Sequence, residues 1–199
     1  MSWFFLIIGL TLTLWDIFFI AKTLQGNIIK RFVFILSGVT VIKVIYPSYM
    51  LITYKETLIS LIIGLVFLIT HLLIAKGIKL RFSDINVGII KTCILIYFIE
   101  LPAEELLYRG ILLIPLINMT NPVIAIFISS VLFGALHIKT WNNKFVWIGS
   151  FLLAMTCAIS VVISKSIWTA IIIHNLNDFG YLTLVNKRDI FTHRSANYK

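Results

Sequence analysis

The chain has 199 residues, 60% of them hydrophobic and only 13% charged, with mean hydropathy +1.02 and formal net charge +9. A soluble domain carries about 25% charged residues, so an ordinary soluble fold is excluded. No basic face interleaved with aromatics marks a nucleic-acid-binding module, and the excess Lys and Arg instead read as loop residues that orient membrane spans.

A spanning helix needs about 20 mainly apolar residues, and several runs qualify. Trp3 to Ile20 is the first. The start, Met1-Ser2-Trp3-Phe4, lacks the basic flank of a cleavable signal, so the run is expected to stay. Asp16 interrupts it and is expected to serve structure, facing the bundle or an interface. Lys22 to Arg31 reads as a link with three basic residues: Lys22, Lys30 and Arg31. Phe32 to Ile52 is the second span, with Lys43 able to snorkel and Pro47 near its end. Lys55-Glu56 reads as a short turn, and Thr57 to Ala75 is the cleanest span. His71, near its end, is expected as a hydrogen-bonded interfacial residue rather than a ligand.

Lys76 to Asn86 is a polar link in which Asp84 is placed to cap the next helix. Val87 to Ile117 is too long for one ordinary span. Pro102 is predicted to divide it, which puts Glu104 and Glu105 in the first turn of a new helix, where carboxylates suit the dipole. Pro122 to Ile138, Phe145 to Ile163 and Ile167 to Val185 complete the spans. The uncharged turn Asn118 to Pro122, the basic loop Lys139 to Lys144 and the turn Ser164-Lys165-Ser166, a candidate cap, separate them. Cys93 and Cys157 lie in apolar runs without CxxC spacing and read as packing residues.

The expected architecture is all-α: a polytopic membrane helix bundle of about seven transmembrane helices, forming one integral domain over 1–199. Placing the N-terminus outside and the C-terminus inside puts three basic clusters on the inner side: Lys22, Lys30 and Arg31; Lys76, Lys79 and Arg81; Lys139 and Lys144. The basic tail 186–199, with Lys187, Arg188, Arg194 and Lys199, joins them. Only Lys55 and Lys165 remain outside, the bias the positive-inside rule requires.

Ionisable groups inside apolar runs are costly and mark function. Glu105 and Arg109 are i and i+4 and face each other on a helix, so Arg109 is expected to brace Glu105. Glu104 is rotated by about 100° and points elsewhere. Glu100 shares its face if the helix runs through Pro102. Phe133 and His137 are i and i+4 on another helix, and His174 and Asp178 on a third, with Asn177 close by. Burying these groups without mutual partners would cost several kcal/mol each, so they are expected to converge in one cavity. GxSxG and HExxH are both absent. What remains is a set that activates water. Glu104 is the candidate base, His137 shares the water or binds a metal, and His174 with Asp178 faces an oxyanion. Glu104, His137 and His174 also suit a zinc ion with an open position, and spacing leaves metal and direct water activation both open.

The trio EExxxR (Glu104, Glu105, Arg109), FxxxH (Phe133, His137) and HxxxN/D (His174, Asp178) resembles the CPBP intramembrane protease family, which includes the CAAX-type prenyl endopeptidases and the bacteriocin-processing or Abi proteins. The resemblance covers about Lys91 to Leu184 and defines a catalytic core at 88–185. It implies peptide-bond hydrolysis within the membrane, with Glu104 and His137 activating water and His174 and Asp178 stabilising the oxyanion. The family often has Asn at the last position, and an ionised Asp cannot donate there. The family has been described as both metallo- and glutamate-type, so zinc stays open. The expected partners are the lipid bilayer and a membrane-associated peptide or protein, in bacteriocin or peptide-pheromone processing or self-immunity at a bacterial plasma membrane. The alternative is a non-catalytic immunity or interaction protein on the same scaffold.

Overall fold

The computed structural model describes residues 2–19, 21, 23–140 and 144–191, apart from the side chains of 2, 139, 140 and 144. Among these, seven long helices make up the fold: α1 (Ser2–Phe18), α2 (Leu24–Ile45), α3 (Tyr54–Ile74), α4 (87–119), α5 (Pro122–Thr140), α6 (Lys144–Ser164) and α7 (167–185). The described residues contain no strand. Helices are the economical answer for so apolar a chain, because each satisfies its own backbone without water.

Local signals set the helix starts. Thr53 and Glu56 form a reciprocal capping box, so Lys55-Glu56, expected as a turn, is instead the first turn of α3. Asn86, not Asp84, caps α4 by accepting from the Ile89 N–H at 2.9 Å. Asp84 accepts from the Arg81 N–H and pairs with Lys187 at 2.6 Å. Ser166 stands at the N-cap of α7 without making a side-chain capping bond.

The largest departure is α4. Pro102 does not divide it: the helix runs unbroken from 87 to 119. Its turns at Ile96–Glu100 and Leu106–Leu113 are π-helical, each lying just ahead of a proline, Pro102 and Pro115. In an α-helix a proline ring strikes the carbonyl four residues back. A π turn shifts the bonding to i→i+5, as in the Leu101 N–H to Ile96 carbonyl bond, and makes room for the ring. Glu104 and Glu105 therefore sit mid-helix, not at a helix start. At 1.5 Å per residue α4 is about 50 Å long, well beyond a hydrocarbon core of about 30 Å.

The core is centred on 103–116 of α4, with Leu107, Tyr108, Ile111, Leu112 and Leu113 fully buried. α1, α2, α5, α6 and α7 pack against this half of α4, while α3 lies along α7. The approach of α1 is close: a Cβ on Gly9 would stand 2.6 Å from the Ile111 carbonyl oxygen. Small residues at such crossings let membrane helices touch backbone to backbone. The outer face of α3 is the opposite case, with Ile62, Val66, Ile69 and Leu73 all exposed. Tyr54–Ile74 and Phe145–Ser164 are each long and apolar enough to cross a membrane.

The link ahead of Phe32 is also revised. Lys30 and Arg31 are not loop residues: they lie inside α2, buried. Of the other basic residues expected inside, Lys22, Arg194 and Lys199 and the side chains of Lys139 and Lys144 lie outside the described residues, as do 141–143 of the basic loop and most of the tail. The remaining links group at two ends. Lys187 reaches Asp84, and Leu184 accepts from the Lys79 and Leu80 N–H groups. At the other end the Trp168 indole donates to the Met50 carbonyl, and Lys165 lies 5.9 Å over the Tyr49 ring.

Candidate active site

Two charged networks meet around α4. The first contains Glu105, fully buried, with both carboxylate oxygens engaged. Oε2 lies 3.1 Å from Arg109 Nε and Oε1 lies 2.7 Å from His174 Nδ1. The i,i+4 brace expected between Glu105 and Arg109 is present, and Glu105 also fixes a histidine from α7. Arg109 is further held by a bond to the Ala154 carbonyl at 3.2 Å and lies 4.7 Å over the Phe133 ring.

Phe133 is the hub of the constellation. Its ring lies 4.7 Å from the His137 ring, 5.6 Å from the His174 ring and 5.1 Å from the Tyr108 ring. Aromatic contacts of this range add roughly 0.5–1.5 kcal/mol each beyond area burial, and here they set two imidazoles from different helices around one apolar plate. His137 Nδ1 bonds the Phe133 carbonyl at 3.1 Å. In that contact Nδ1 carries the proton, which makes Nε2 the accepting nitrogen. His174 is buried, whereas Asp178 is half-buried.

Asp178 does not present a donor. Its Oδ1 accepts from Asn177 Nδ2 at 2.7 Å, and its Oδ2 lies 3.8 Å from His174 Nε2. The Asn177 amide is oriented by His71 of α3, whose Nε2 lies 2.9 Å from Asn177 Oδ1. His71, expected as a hydrogen-bonded residue, is thus tied by two bonds to the acid beside His174. The 3.8 Å gap at Nε2 is too long for a hydrogen bond.

The second network holds Glu104. Arg31 NH2 donates to its Oε1 at 2.7 Å, and Asp16 lies 3.6 Å from Arg31 NH1 and 2.7 Å from Lys30 Nζ. Two carboxylates and two cations balance here, all at least nine-tenths buried. The Tyr108 hydroxyl donates to Asp16 Oδ2 at 3.4 Å, joining this network to the Phe133 hub. Asn27 bonds Glu100 one turn before the Arg31–Glu104 contact. Glu100 and Glu104 therefore do share a face, as a continuous helix requires. Glu104 also lies within electrostatic range of both His137 and His174. All seven sequence candidates are thereby drawn to one region of the bundle.

Sequence reasoning missed Arg31 and Lys30. The signal was available: Asp16 inside an apolar run demands a cation, and the two cations directly abut the run beginning at Phe32. The metal reading fares differently. Among the described residues no three His, Cys, Asp or Glu side chains come together as a metal-binding set. Glu104 is held at Oε1 by Arg31 and His174 at Nδ1 by Glu105. This arrangement does not fit a zinc ligand set, and no step is derived through one.

Residues 86–180 match the family model described as type II CAAX prenyl endopeptidase Rce1-like. That is the family the three motifs resemble, and the matched segment contains every one of their residues. Helices α1 to α3 lie outside it. No curated protein and no solved structure matches the chain. The match over 86–180 and the two helices long and apolar enough to cross a membrane support a membrane protein.

Proposed function

We propose that this chain, whose 86–180 segment matches the CAAX-type protease family model, is an intramembrane endopeptidase that hydrolyses a peptide bond of a membrane-associated peptide. The observation that carries this reading is the division of labour between adjacent carboxylates. Glu105 spends both oxygens on Arg109 and His174, while Glu104 is held through Oε1 within electrostatic range of both histidines.

Water taken between Glu104 Oε2 and His137 Nε2 gives a proton to the carboxylate as its oxygen bonds the substrate carbonyl carbon. The carbonyl π electrons pass to oxygen. As the imidazolium, with its Nδ1–H on Glu105, His174 donates its Nε2 proton as a hydrogen bond to that oxyanion, and oriented donors of this kind supply the largest electrostatic term in many hydrolases. Collapse breaks the C–N bond, and the leaving amine takes the proton from Glu104. Asp178, which accepts from Asn177, stands 3.8 Å from Nε2 as a nearby charge rather than as a donor.

The bilayer is the solvent and the peptide the partner. A seven-span topology with the N-terminus outside agrees with the grouping of Lys76, Lys79, Arg81, Lys187 and Arg188 toward one end, where Lys187 bridges to Asp84. The motifs' likeness to bacteriocin-processing and Abi proteins suits peptide maturation or self-immunity in a bacterial plasma membrane. The test is cleavage, by the purified chain in proteoliposomes, of a farnesylated, internally quenched peptide ending in Cys-aliphatic-aliphatic-X. Glu104→Gln and His137→Ala are expected to abolish cleavage with helicity unchanged, and chelator to leave it intact. Loss on chelation with recovery on zinc would make Glu104 and His137 ligands instead. One observation favours a non-catalytic interaction protein on this scaffold, namely that Arg31 already occupies a Glu104 oxygen. That reading wins if Glu104→Gln retains the cellular phenotype in full.

A further inference from the structure

A carboxylate at membrane depth must meet a cation or leave its charge behind. Glu104 meets Arg31, which comes from α2 and lies outside the segment matched to the protease family. The contact is specific in form. Arg31 approaches end-on, with NH2 alone bonding Oε1, while its Nε and NH1 have no hydrogen-bond partner. A purely structural arginine–carboxylate pair favours the bidentate fork, which engages both oxygens. Here the second Glu104 oxygen stays outside the grip.

The guanidinium is itself located from behind. Asp16 of α1 lies 3.6 Å from NH1 and is held by Lys30 at 2.7 Å, and the Phe34 ring lies 5.8 Å from the guanidinium carbon. The register of α2 on α4 is fixed one turn away by Asn27 and Glu100. Asn27 and Arg31 are i and i+4, as are Glu100 and Glu104, so the two contacts are rungs of one ladder between parallel faces.

We propose that Arg31 is a positioning residue: it sets the Glu104 carboxylate so that one oxygen is directed at water, and α1 and α2 thereby complete an active site that the protease domain does not complete alone. This rests on the reading of Glu104 as the group that takes the water. A misplacement of about 1 Å can cost about 100-fold in rate, so a lost grip is expected in kcat rather than in KM.

The experiment uses the full chain in proteoliposomes with the farnesylated quenched peptide. Arg31→Met is expected to lower kcat by about 10- to 100-fold with KM within about twofold, and Arg31→Lys to recover part of the loss. A kcat at the wild-type level in Arg31→Met, or an effect on KM alone, would overturn it. If Arg31→Met does not fold, Arg31→Lys carries the test, with reduced kcat at an unchanged thermal midpoint expected and wild-type kcat refuting. Failure of the underlying reading looks different, because Glu104→Gln would then cleave normally. A thermal-stability cycle over Arg31→Met, Glu104→Gln and the double variant needs no substrate. Non-additivity is expected, and additivity would mean that Arg31 does not act through Glu104.

Discussion

Arg109 offers the sharpest test of the packing logic, because its loss can be partitioned. The guanidinium is fully buried, lies 3.1 Å from Glu105, donates to the Ala154 carbonyl and covers the Phe133 ring. Arg109→Met keeps much of the volume but leaves the Glu105 charge without its cation. Removing one partner of a buried pair costs about 3–5 kcal/mol. For a chain of this length that is a midpoint lower by roughly 10 °C, read by thermal unfolding in detergent. Glu105→Met/Arg109→Met removes both charges, and replacing a buried pair by apolar residues is often near neutral. It does not return to wild type here, because His174 Nδ1 also loses its 2.7 Å partner. A hydrogen bond to a charged group is worth about 1.5–3 kcal/mol. The double variant should therefore lie between the single variant and wild type. An Arg109→Met protein within about 1 kcal/mol of wild type, or a double variant no more stable than the single, would refute this account of the brace.

Phe133→Ala should cost about 3–5 kcal/mol and, by releasing both imidazoles, abolish cleavage; a stable, active variant would remove Phe133 as the hub. Gly38→Val should destabilise by about 1–3 kcal/mol, because even a Cβ there meets the Leu106 Cβ at 2.7 Å; an unchanged midpoint in detergent would contradict the α2–α4 contact. At the surface, the Lys187 bond and the Arg81 N–H hold the Asp84 carboxyl below the usual carboxylate range. A depressed carboxyl contributes stability that is present above its unfolded value of about 4 and is lost as pH falls through the lower folded value. Hydrogen-exchange protection at 184–188, relative to the intrinsic rate at each pH, should therefore fall below about pH 4 in the native chain and not change with acid in Asp84→Asn.

The helical class and the three motif helices were legible because hydropathy and i,i+4 spacing are local properties of the sequence. The pairing of Glu105 with Arg109 follows from that spacing alone. What the sequence hid was the particular partner in each contact between distant segments. Nothing local marks Arg31 as the partner of Glu104, 73 residues away, or His71 as the residue that orients Asn177, 106 residues away. Pro102 misled for a different reason. Proline breaks a helix of i→i+4 bonds, and the π turn before it removes the clash that the rule presumes. The capping box at Thr53 and Glu56 has the T-x-x-E pattern, whereas the adjacent Lys55-Glu56 charges alone read as a turn.

The unbroken α4 is what makes the site possible. A helix starting at Pro102 would have offered both carboxylates to a dipole and exposed them at an end. Running through, α4 instead carries Glu100 and Glu104 on the face toward α2, and Glu105 and Arg109 on the face toward α6 and α7. Two adjacent residues are thereby delivered to two different charge networks, each with its own cations. That separation lets one carboxylate place both oxygens on Arg109 and His174 while its neighbour keeps one oxygen outside the Arg31 contact. The π turns on either side of Leu101–Glu105 let the helix keep both Pro102 and Pro115 without breaking, and π turns recur at functional sites. Hence the same feature that defeats a proline-based reading of the chain holds Glu104 within electrostatic range of His137 and His174.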